Sequence, residues 1–257
     1  MSPSQARDWD AGTYHRVSAP HQDWAEALLD RLALRGDETV LDAGCGSGRA
    51  TLRLLDRLPH GRVVAVDGAP SMVAQARETL GDRADVIRSD LVELELPEPV
   101  DAVFSSAVFH WIADHDTLFA RLFAALTPDG RLVAQCGGAG NIRAFRELSN
   151  AIAARPPYAE HLGGWTGPWN YATPEETAAR LEHAGFTAVR TWLQPWSVTP
   201  PEPREFARSV CLHPLTARMP PELRERYVDD VMAAAGDPLV LDYVRLNIDA
   251  RRSPATA

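Results

Sequence analysis

Short apolar runs alternate with stretches of helical periodicity along the first half of the chain. The runs TVLDA (39–43), RVVAVD (62–67), ADVIRSD (84–90), VDAVFSSA (100–107) and RLVAQC (131–136) are rich in Val and Ala. They are nearly continuous rather than alternating, as expected of strands buried on both faces of a parallel sheet. Between them, RATLRLLDRL (49–58), SMVAQARETL (71–80) and DHDTLFARLFAALT (114–127) place apolar residues at helical spacing. Ser71 reads as the N-cap of the second helix. Pro128-Asp129-Gly130 closes the third. Strands alternating with helices of this length predict βαβ units around a parallel, doubly wound α/β sheet.

The second half is less regular. Residues 137–172, with Gly137-Gly138, Gly140, Pro156-Pro157 and GGWTGPW (163–169), read as a helix plus a long loop over the ligand edge of the sheet. TPEETAARLEHAGF (173–186) is a marked helix: Thr173 as N-cap, Pro174 at the first position, Glu176 completing a capping box and Gly185 as C-cap. A strand follows at 187–198, then two helices broken by prolines (204–212 and 220–235). The run 238–252 predicts a final strand, antiparallel at the sheet centre or edge. No repeat and no composition break divides the chain, so 1–257 reads as a single domain.

Composition narrows the chemistry. The chain has 257 residues, 45% hydrophobic and 24% charged, an ordinary globular balance. A net charge of −9 disfavours a broad nucleic-acid interface, which needs clustered cations. All 26 basic residues are Arg. Without Lys, neither a Schiff base nor a lysine-bearing phosphate loop is available. Three cysteines, Cys45, Cys136 and Cys211, are too few and odd in number for a disulfide framework, which suits a reducing cytoplasm. No His/Cys spacing reads as a metal site. The opening MSPSQARDWDAGTYHR lacks an apolar run, and no stretch approaches the roughly 18 apolar residues of a membrane span.

The informative segment is VLDAGCGSGRAT (40–51), where a buried strand enters, a glycine-rich turn follows and a helix leaves. Such a turn at the end of the first strand sits where doubly wound sheets bind ligands. A dinucleotide site wants G-x-G-x-x-G, but Arg49 occupies the third glycine's position. Asp42 inside the strand end would repel a pyrophosphate and instead suits a cationic ligand bearing an amino group. Asp67 ends the second strand, placed to accept from both ribose hydroxyls. Asp90 ends the third, placed to accept from an adenine amino group. Alone, Asp67 or Asp90 is more often a turn or cap residue; together at three successive strand ends these features point to an adenosine-containing ligand.

These residues resemble class I S-adenosylmethionine-dependent methyltransferases over nearly the whole chain. VLDAGCGSG is similar to the family's first motif and VVAVDGAPSMVAQAR to its second, which implies ribose binding by Asp67 and an adenine pocket lined by Gly68 and Met72. SDL (Ser89, Asp90, Leu91) matches the acidic motif after the third strand. The resemblance implies a cofactor set of Tyr14, Asp42, Ala43, Gly44, Cys45, Gly46 and Gly48 with those residues, extended by Ser105, Ser106 and Trp111 after the fourth strand. Trp9-Asp10, Tyr14, FSSAVFHWIADH (104–115) and LTPDGRLVAQ (126–135) resemble the trans-aconitate methyltransferase-like subgroup. Ser106 and His110 depart from the Asn and Gln common there. The implied fold is a seven-stranded Rossmann-like sheet with its last strand antiparallel. Residues 1–36 are expected as an N-terminal helical lid, with helical insertions at 137–172 and 200–238 forming an acceptor-side cap.

Methyl transfer needs alignment and exclusion of water, and a base only where the acceptor is protonated. His110 is the candidate base, against a packing or capping role. Arg143 suits an anionic acceptor, and Trp165, Trp169 and Tyr171 a larger apolar one. The expectation is methylation of a small molecule on oxygen or carbon, with S-adenosylhomocysteine as product, by a cytoplasmic monomer or homodimer without nucleic-acid or membrane partners. The alternative is a cofactor-binding protein of the same fold that catalyses another reaction, such as a cyclisation. An NAD-dependent oxidoreductase is disfavoured by Arg49. A nucleic-acid methyltransferase is disfavoured because SSAV stands where an NPPY-type tetrapeptide would.

Overall fold

The computed structural model describes residues 20–254. After helix α1 (Pro20–Leu32), strand β1 (Thr39–Ala43), helix α2 (Arg49–Asp56), β2 (Arg62–Asp67), α3 (Pro70–Leu80), β3 (Asp85–Arg88), β4 (Val100–Ser106), α4 (His115–Ala125) and β5 (Leu126–Gly137) follow in the expected alternation. The strands lie in the order β3-β2-β1-β4-β5-β7-β6, where β6 is Phe186–Val198 and β7 is Leu241–Arg252. β1 to β5 pair in parallel, and β7 runs antiparallel to both β5 and β6. The final strand is therefore penultimate, neither at the centre nor at the edge, because β6 covers its outer side.

Period-2 alternation divides the core. Val40, Val63 and Val133 pack on one face with Leu28, Leu29 and Leu32 of α1 and Leu54 of α2. Leu41, Val64 and Leu132 face the other way, with Leu118, Phe119 and Leu122 of α4 and Leu181. Adjacent residues in a strand point to opposite faces, so a run apolar at every position fills two cores at once. A third cluster lies over the C-terminal ends of the strands. It joins α5 (Arg143–Ala153), α6 (Ala159–Leu162), α8 (Pro203–Phe206), α9 (His213–Thr216) and α10 (Pro221–Ala235), around Phe145, Tyr158, Phe206, Leu215, Tyr227 and Val231.

Several local expectations are corrected. Ser71 is not the cap of α3: Pro70 starts the helix and Ala69 is its N-cap without a side-chain bond. Proline's fixed φ and missing N–H suit the first helical position. β3 stops at Arg88, and Asp90 lies beyond it, capping a 3₁₀ turn (Leu91–Glu93) by accepting from the amide of Val92 at 3.2 Å. β5 begins five residues early, at Leu126, and a register shift absorbs Pro128-Asp129-Gly130. The expected helix at 204–212 breaks after Phe206 into a π turn (Ala207–Cys211), closed by Leu212 N–H to the carbonyl of Ala207 at 2.8 Å. The capping box of α7 (Pro174–His183) forms as expected, with Thr173 and Glu176 each accepting from the other's amide. The helix ends on Ala184, and Gly185 follows at φ +103°.

Candidate functional site

Strand order reverses between β1 and β4, so the loops leaving these strands diverge and open a crevice at their carboxyl ends. The loop after β1 is tied to β2: the amides of Gly44 and Cys45 donate to the carbonyl of Val66 at 2.8 and 2.9 Å. Gly44 sits at φ +86°, and a Cβ there would lie 2.2 Å from Cγ2 of Val108. Only glycine admits both the left-handed backbone and this close approach of the loop after β4. The Asp67 carboxylate accepts from the amide of Gly46 at 2.9 Å with one oxygen and from that of Ala69 at 2.9 Å with the other. The amide of Gly68 is a third backbone donor to this carboxylate, and the carboxylate's remaining acceptor capacity is open to ligand hydroxyls.

Asp42 lies at the end of β1, 1% exposed, and accepts from the Thr51 hydroxyl at 2.7 Å. Burial pushes its carboxyl up to about 7; the Thr51 bond opposes this and the Asp67 charge adds to it. Burial likewise raises Asp67, against the amides of Ala69, Gly46 and Gly68. Two carboxylates so poised gain from a cationic ligand. Burial raises the Cys45 thiol far above its usual range, so it is no nucleophile.

A cleft of about 1220 Å³ runs along these strand ends. It brings together Asp42, Gly44, Cys45, Gly46, Asp67, Gly68, Met72, Asp90, Leu91, Ser106, His110, Trp111, Trp165, Trp169 and Tyr171 of the expected residues. Others stand apart from its lining. Ala43 is core, and Ser105 is buried with its hydroxyl given to the carbonyl of Ala43 at 2.6 Å. The Ser89 hydroxyl turns to the carbonyl of Asp90. Gly48 caps α2 in a left-handed conformation. Arg143 is exposed at the start of α5 and is not among the lining residues, although Asn141 and Ile142 just before it are. Tyr14 and most of the 1–36 segment lie outside the described residues.

A buried cation in the far half of the cleft is instead Arg245 of β7, 2% exposed. Its Nε donates to Gln135 Oε1 at 3.2 Å, Gln135 Nε2 donates to Asn247 Oδ1 at 2.9 Å, and Arg31 Nη1 of α1 donates to the same oxygen at 2.6 Å. The amide orientations follow from the two guanidinium groups, which can only donate. Arg245 lowers the thiol of Cys136 and the phenol of Tyr171, although burial, the larger effect, raises both. Tyr171 and Trp169 stack at 6.2 Å and 9°, with the Arg146 guanidinium about 5 Å above each ring. Arg218 lies 4.5 Å over Trp165. Sequence reasoning missed Arg245 and Gln135. A signal existed: Tyr243, Arg245 and Asn247 occupy successive same-face positions in a strand whose other face is Leu246, Ile248 and Ala250. Polar residues repeating every second position inside a buried strand mark a polar interior site.

His110 lies in a 3₁₀ turn (Phe109–Trp111) after β4, its ring 5.7 Å from that of Tyr171 and 4.9 Å from that of Trp111. The amide of Gly137 donates to its Nδ1 at 3.2 Å. His115 faces away and bonds the carbonyl of Phe109. Among the described residues no group of three or more His, Cys, Asp or Glu is arranged to hold a metal ion, and no helix is long and apolar enough to cross a membrane.

A seven-stranded sheet with this order, its antiparallel β7 and a glycine loop backed by strand-end carboxylates defines a Rossmann-like α/β protein of the methyltransferase class. A family profile described as a methyltransferase domain matches residues 40–130. Trans-aconitate 2-methyltransferase of Methylobacterium nodulans is 31% identical over 186 residues, 72% of this chain and 67% of that protein. The enzyme of that name from Variovorax paradoxus is 34% identical over 156 residues, 61% of this chain and 60% of that one. The chain thus matches about three-fifths to two-thirds of the length of these relatives. Among solved structures, a Haemonchus contortus phosphoethanolamine N-methyltransferase 2 in complex with S-adenosyl-L-methionine superposes with a TM-score of 0.64 at 19% identity, covering 98% of this chain and 58% of that one. The chain belongs to the class I S-adenosylmethionine-dependent methyltransferases, in the trans-aconitate methyltransferase-like group.

Proposed function

We propose that the chain methylates an oxygen of a small carboxylate, using S-adenosylmethionine. One observation carries this reading: the cleft has two ends of opposite chemistry. Three carboxylates, Asp42, Asp67 and Asp90, line the end under β1 to β3, and the buried Arg245 lines the end under β5 and β7; Arg49, Arg53 and Arg218 also line the cleft, and of these cations only Arg245 is buried.

The acidic end suits a ligand with ribose hydroxyls, an amino group and a sulfonium. Asp67 keeps lone pairs for the hydroxyls, Asp42 faces the amino group, and Met72 and Asp90 offer a face and an edge to adenine. When bound, S-adenosylmethionine supplies a methyl group made electrophilic by the adjacent sulfonium. The chain's own work is to bind, orient and dry the acceptor. Arg245, held by Gln135, anchors an anionic group; its planar donor fork matches a carboxylate. Segments 137–172 and 200–238 act as the acceptor-side cap, contributing Trp165, Trp169, Tyr171 and Arg218 to the cleft. The trans-aconitate relatives point to the same substrate class.

Calorimetry with S-adenosylmethionine and S-adenosylhomocysteine tests the cofactor, with Asp67→Ala as control. Release of S-adenosylhomocysteine in the presence of trans-aconitate and other di- and tricarboxylates tests the acceptor. Micromolar binding lost in the variant, with turnover on a carboxylate, is the expected result. A folded protein that binds neither compound overturns the reading. Binding with turnover only on neutral acceptors overturns the carboxylate assignment alone.

A further inference from the structure

The turn that leaves β5 is tied to β7 and brings Asn141 against Tyr171. The amides of Gly138 and Ile142 donate to the carbonyls of Val244 and Asp242, each at 2.9 Å. The amide of Val244 donates in turn to Asn141 Oδ1 at 2.9 Å. A backbone N–H can only donate, so this bond fixes the side-chain amide with its oxygen toward β7 and Nδ2 on the other branch. A Cβ on Gly137 would lie 3.0 Å from Nδ2 and 2.7 Å from Cε1 of Tyr171, so the nitrogen branch borders the phenol ring. The Tyr171 hydroxyl hydrogen-bonds the Asn141 side chain, and this bond lowers the phenol's pKa, as a donor to its oxygen does.

A hydroxyl carries one hydrogen and two lone pairs. The Asn141 Nδ2–H fills a lone pair and cannot take the hydrogen in return. Among the described residues no acceptor claims that hydrogen. Tyr171 and Asn141 both line the cleft, and the Arg245 charge reaches the phenol, which puts the pair at the cationic end. The ring is held beside Trp169 and under the Arg146 guanidinium, 5.0 Å from its centre, so the O–H bond is its main remaining freedom. We propose that Tyr171, oriented by Asn141, donates its hydroxyl hydrogen to a carboxylate oxygen of the acceptor. This rests on the methyltransferase reading above and names the residue that grips its substrate.

The assignment constrains the reaction. Burial raises the phenol far above its usual range, and the Asn141 bond with the Arg146 and Arg245 charges lowers it only in part. The group stays protonated at neutral pH and serves as a donor, not a base. In the transfer, one ionised carboxylate oxygen supplies the pair for the new C–O bond, the C–S pair returns to sulfur, and no proton is released. Charge drains from that oxygen as the bond forms, so a donor on it would hold the reactant more tightly than the transition state. A donor on the other oxygen keeps its bond as that oxygen becomes the ester carbonyl. Tyr171 therefore takes the oxygen that is not methylated and leaves its twin to react. Loss of the hydroxyl should then appear in KM rather than kcat.

Calorimetry of trans-aconitate and benzoate added to the S-adenosylhomocysteine complex tests the bond, comparing the parent with Tyr171→Phe, which keeps the ring and removes only the oxygen. Carboxylate affinity should fall by about tenfold to a hundredfold, with S-adenosylhomocysteine affinity unchanged as proof of folding. Equal carboxylate affinity in the two proteins overturns the proposal alone. A parent complex that binds neither carboxylate overturns the carboxylate assignment and this proposal with it, and a parent that binds no S-adenosylhomocysteine overturns the methyltransferase reading. Asn141→Ala tests the positioning role. It should weaken carboxylate binding in the parent and add little in Tyr171→Phe, whereas additive losses would overturn the orientation by Asn141. In turnover, Tyr171→Phe should raise KM by the same factor with kcat within about threefold, and the KM ratio should hold between about pH 6 and pH 9. A ratio that varies across that range would mean that the phenol titrates, and would overturn the donor role.

Discussion

The amide of Gly46 donates to the Asp67 carboxylate at 2.9 Å, so the glycine loop after the first strand and the acidic end of the second form one unit. The same carboxylate receives Ala69 on its other oxygen. A ligand held by Asp67 is therefore held by a group already immobilised in the free protein, with little orientational freedom left to lose on binding.

Asp67→Ala removes the hydrogen bonds from the amides of Gly46, Gly68 and Ala69 and the acceptor for the ribose. Bonds to a charged group are worth about 1.5–3 kcal/mol each, so S-adenosylhomocysteine affinity should fall by at least tenfold to a hundredfold. Asp67→Asn, which keeps one acceptor oxygen, should fall between the two. Calorimetry separates the three proteins, and equal affinities would remove Asp67 from the site.

Gly44→Ala sets a Cβ against Val108 at φ +86°. Overpacking and the left-handed backbone together should cost about 2–4 kcal/mol. Thermal denaturation is the measurement. Adding Val108→Ala in the same chain should recover the overpacking part and leave the backbone part, a non-additivity expected only of residues in contact.

Asp42 couples stability to cofactor binding in opposite directions. Its carboxyl is raised from 3.8 to about 7 in the ligand-free fold, so the stability present below pH 3.8 is lost progressively as pH rises toward 7. Asp42→Asn removes the buried charge, keeps an acceptor for Thr51, and should raise the melting temperature at pH 8 while weakening cofactor binding. For the parent protein at pH 6.5, an amino group beside Asp42 should expel its proton. Calorimetry in buffers of different ionisation enthalpy should then show net proton release, absent in Asp42→Asn.

Glu38 works the other way. Burial raises its carboxyl, but the Arg131 guanidinium at 2.7 Å and the amides of Arg35 and Gly36 outweigh this and hold it at about 2. Its contribution is present above the usual 4.5 and is lost as pH falls toward 2. Glu38→Gln should cost about 2–3 kcal/mol at neutral pH, and the difference from the parent should shrink steadily below pH 4.5. Denaturant titrations at pH 7 and pH 3 check both ends.

The acceptor side depends on a longer chain of contacts. Gln135→Leu cuts Arg245 from Asn247 and Arg31. KM for a carboxylate acceptor should rise by about tenfold with S-adenosylhomocysteine affinity unchanged. A change in cofactor affinity of the same size would show that the network serves the whole cleft rather than its far end.

The sequence by itself determined the sheet of parallel strands and the cofactor half of the cleft. Strands buried on both faces must be apolar at every position, and helices packed on them must repeat at 3.6 residues, so both patterns survive in one dimension. The glycine loop leaves β1 directly, Asp42 and Asp67 sit in the last two residues of their strands and Asp90 two residues past its own, so local order alone carries them to one edge. The tertiary structure decided the rest. Arg245 and Gln135 are 110 residues apart and meet only because β7 inserts beside β5 in antiparallel register. Arg143, attractive in the sequence, points outward because α5 turns its first residue to solvent. The bond from the amide of Gly137 to Nδ1 of His110, 27 residues away, was likewise beyond any reading of the chain. Local pairing leaves a periodic trace in the sequence, whereas contacts between distant elements depend on register and on the direction of individual side chains, which have none.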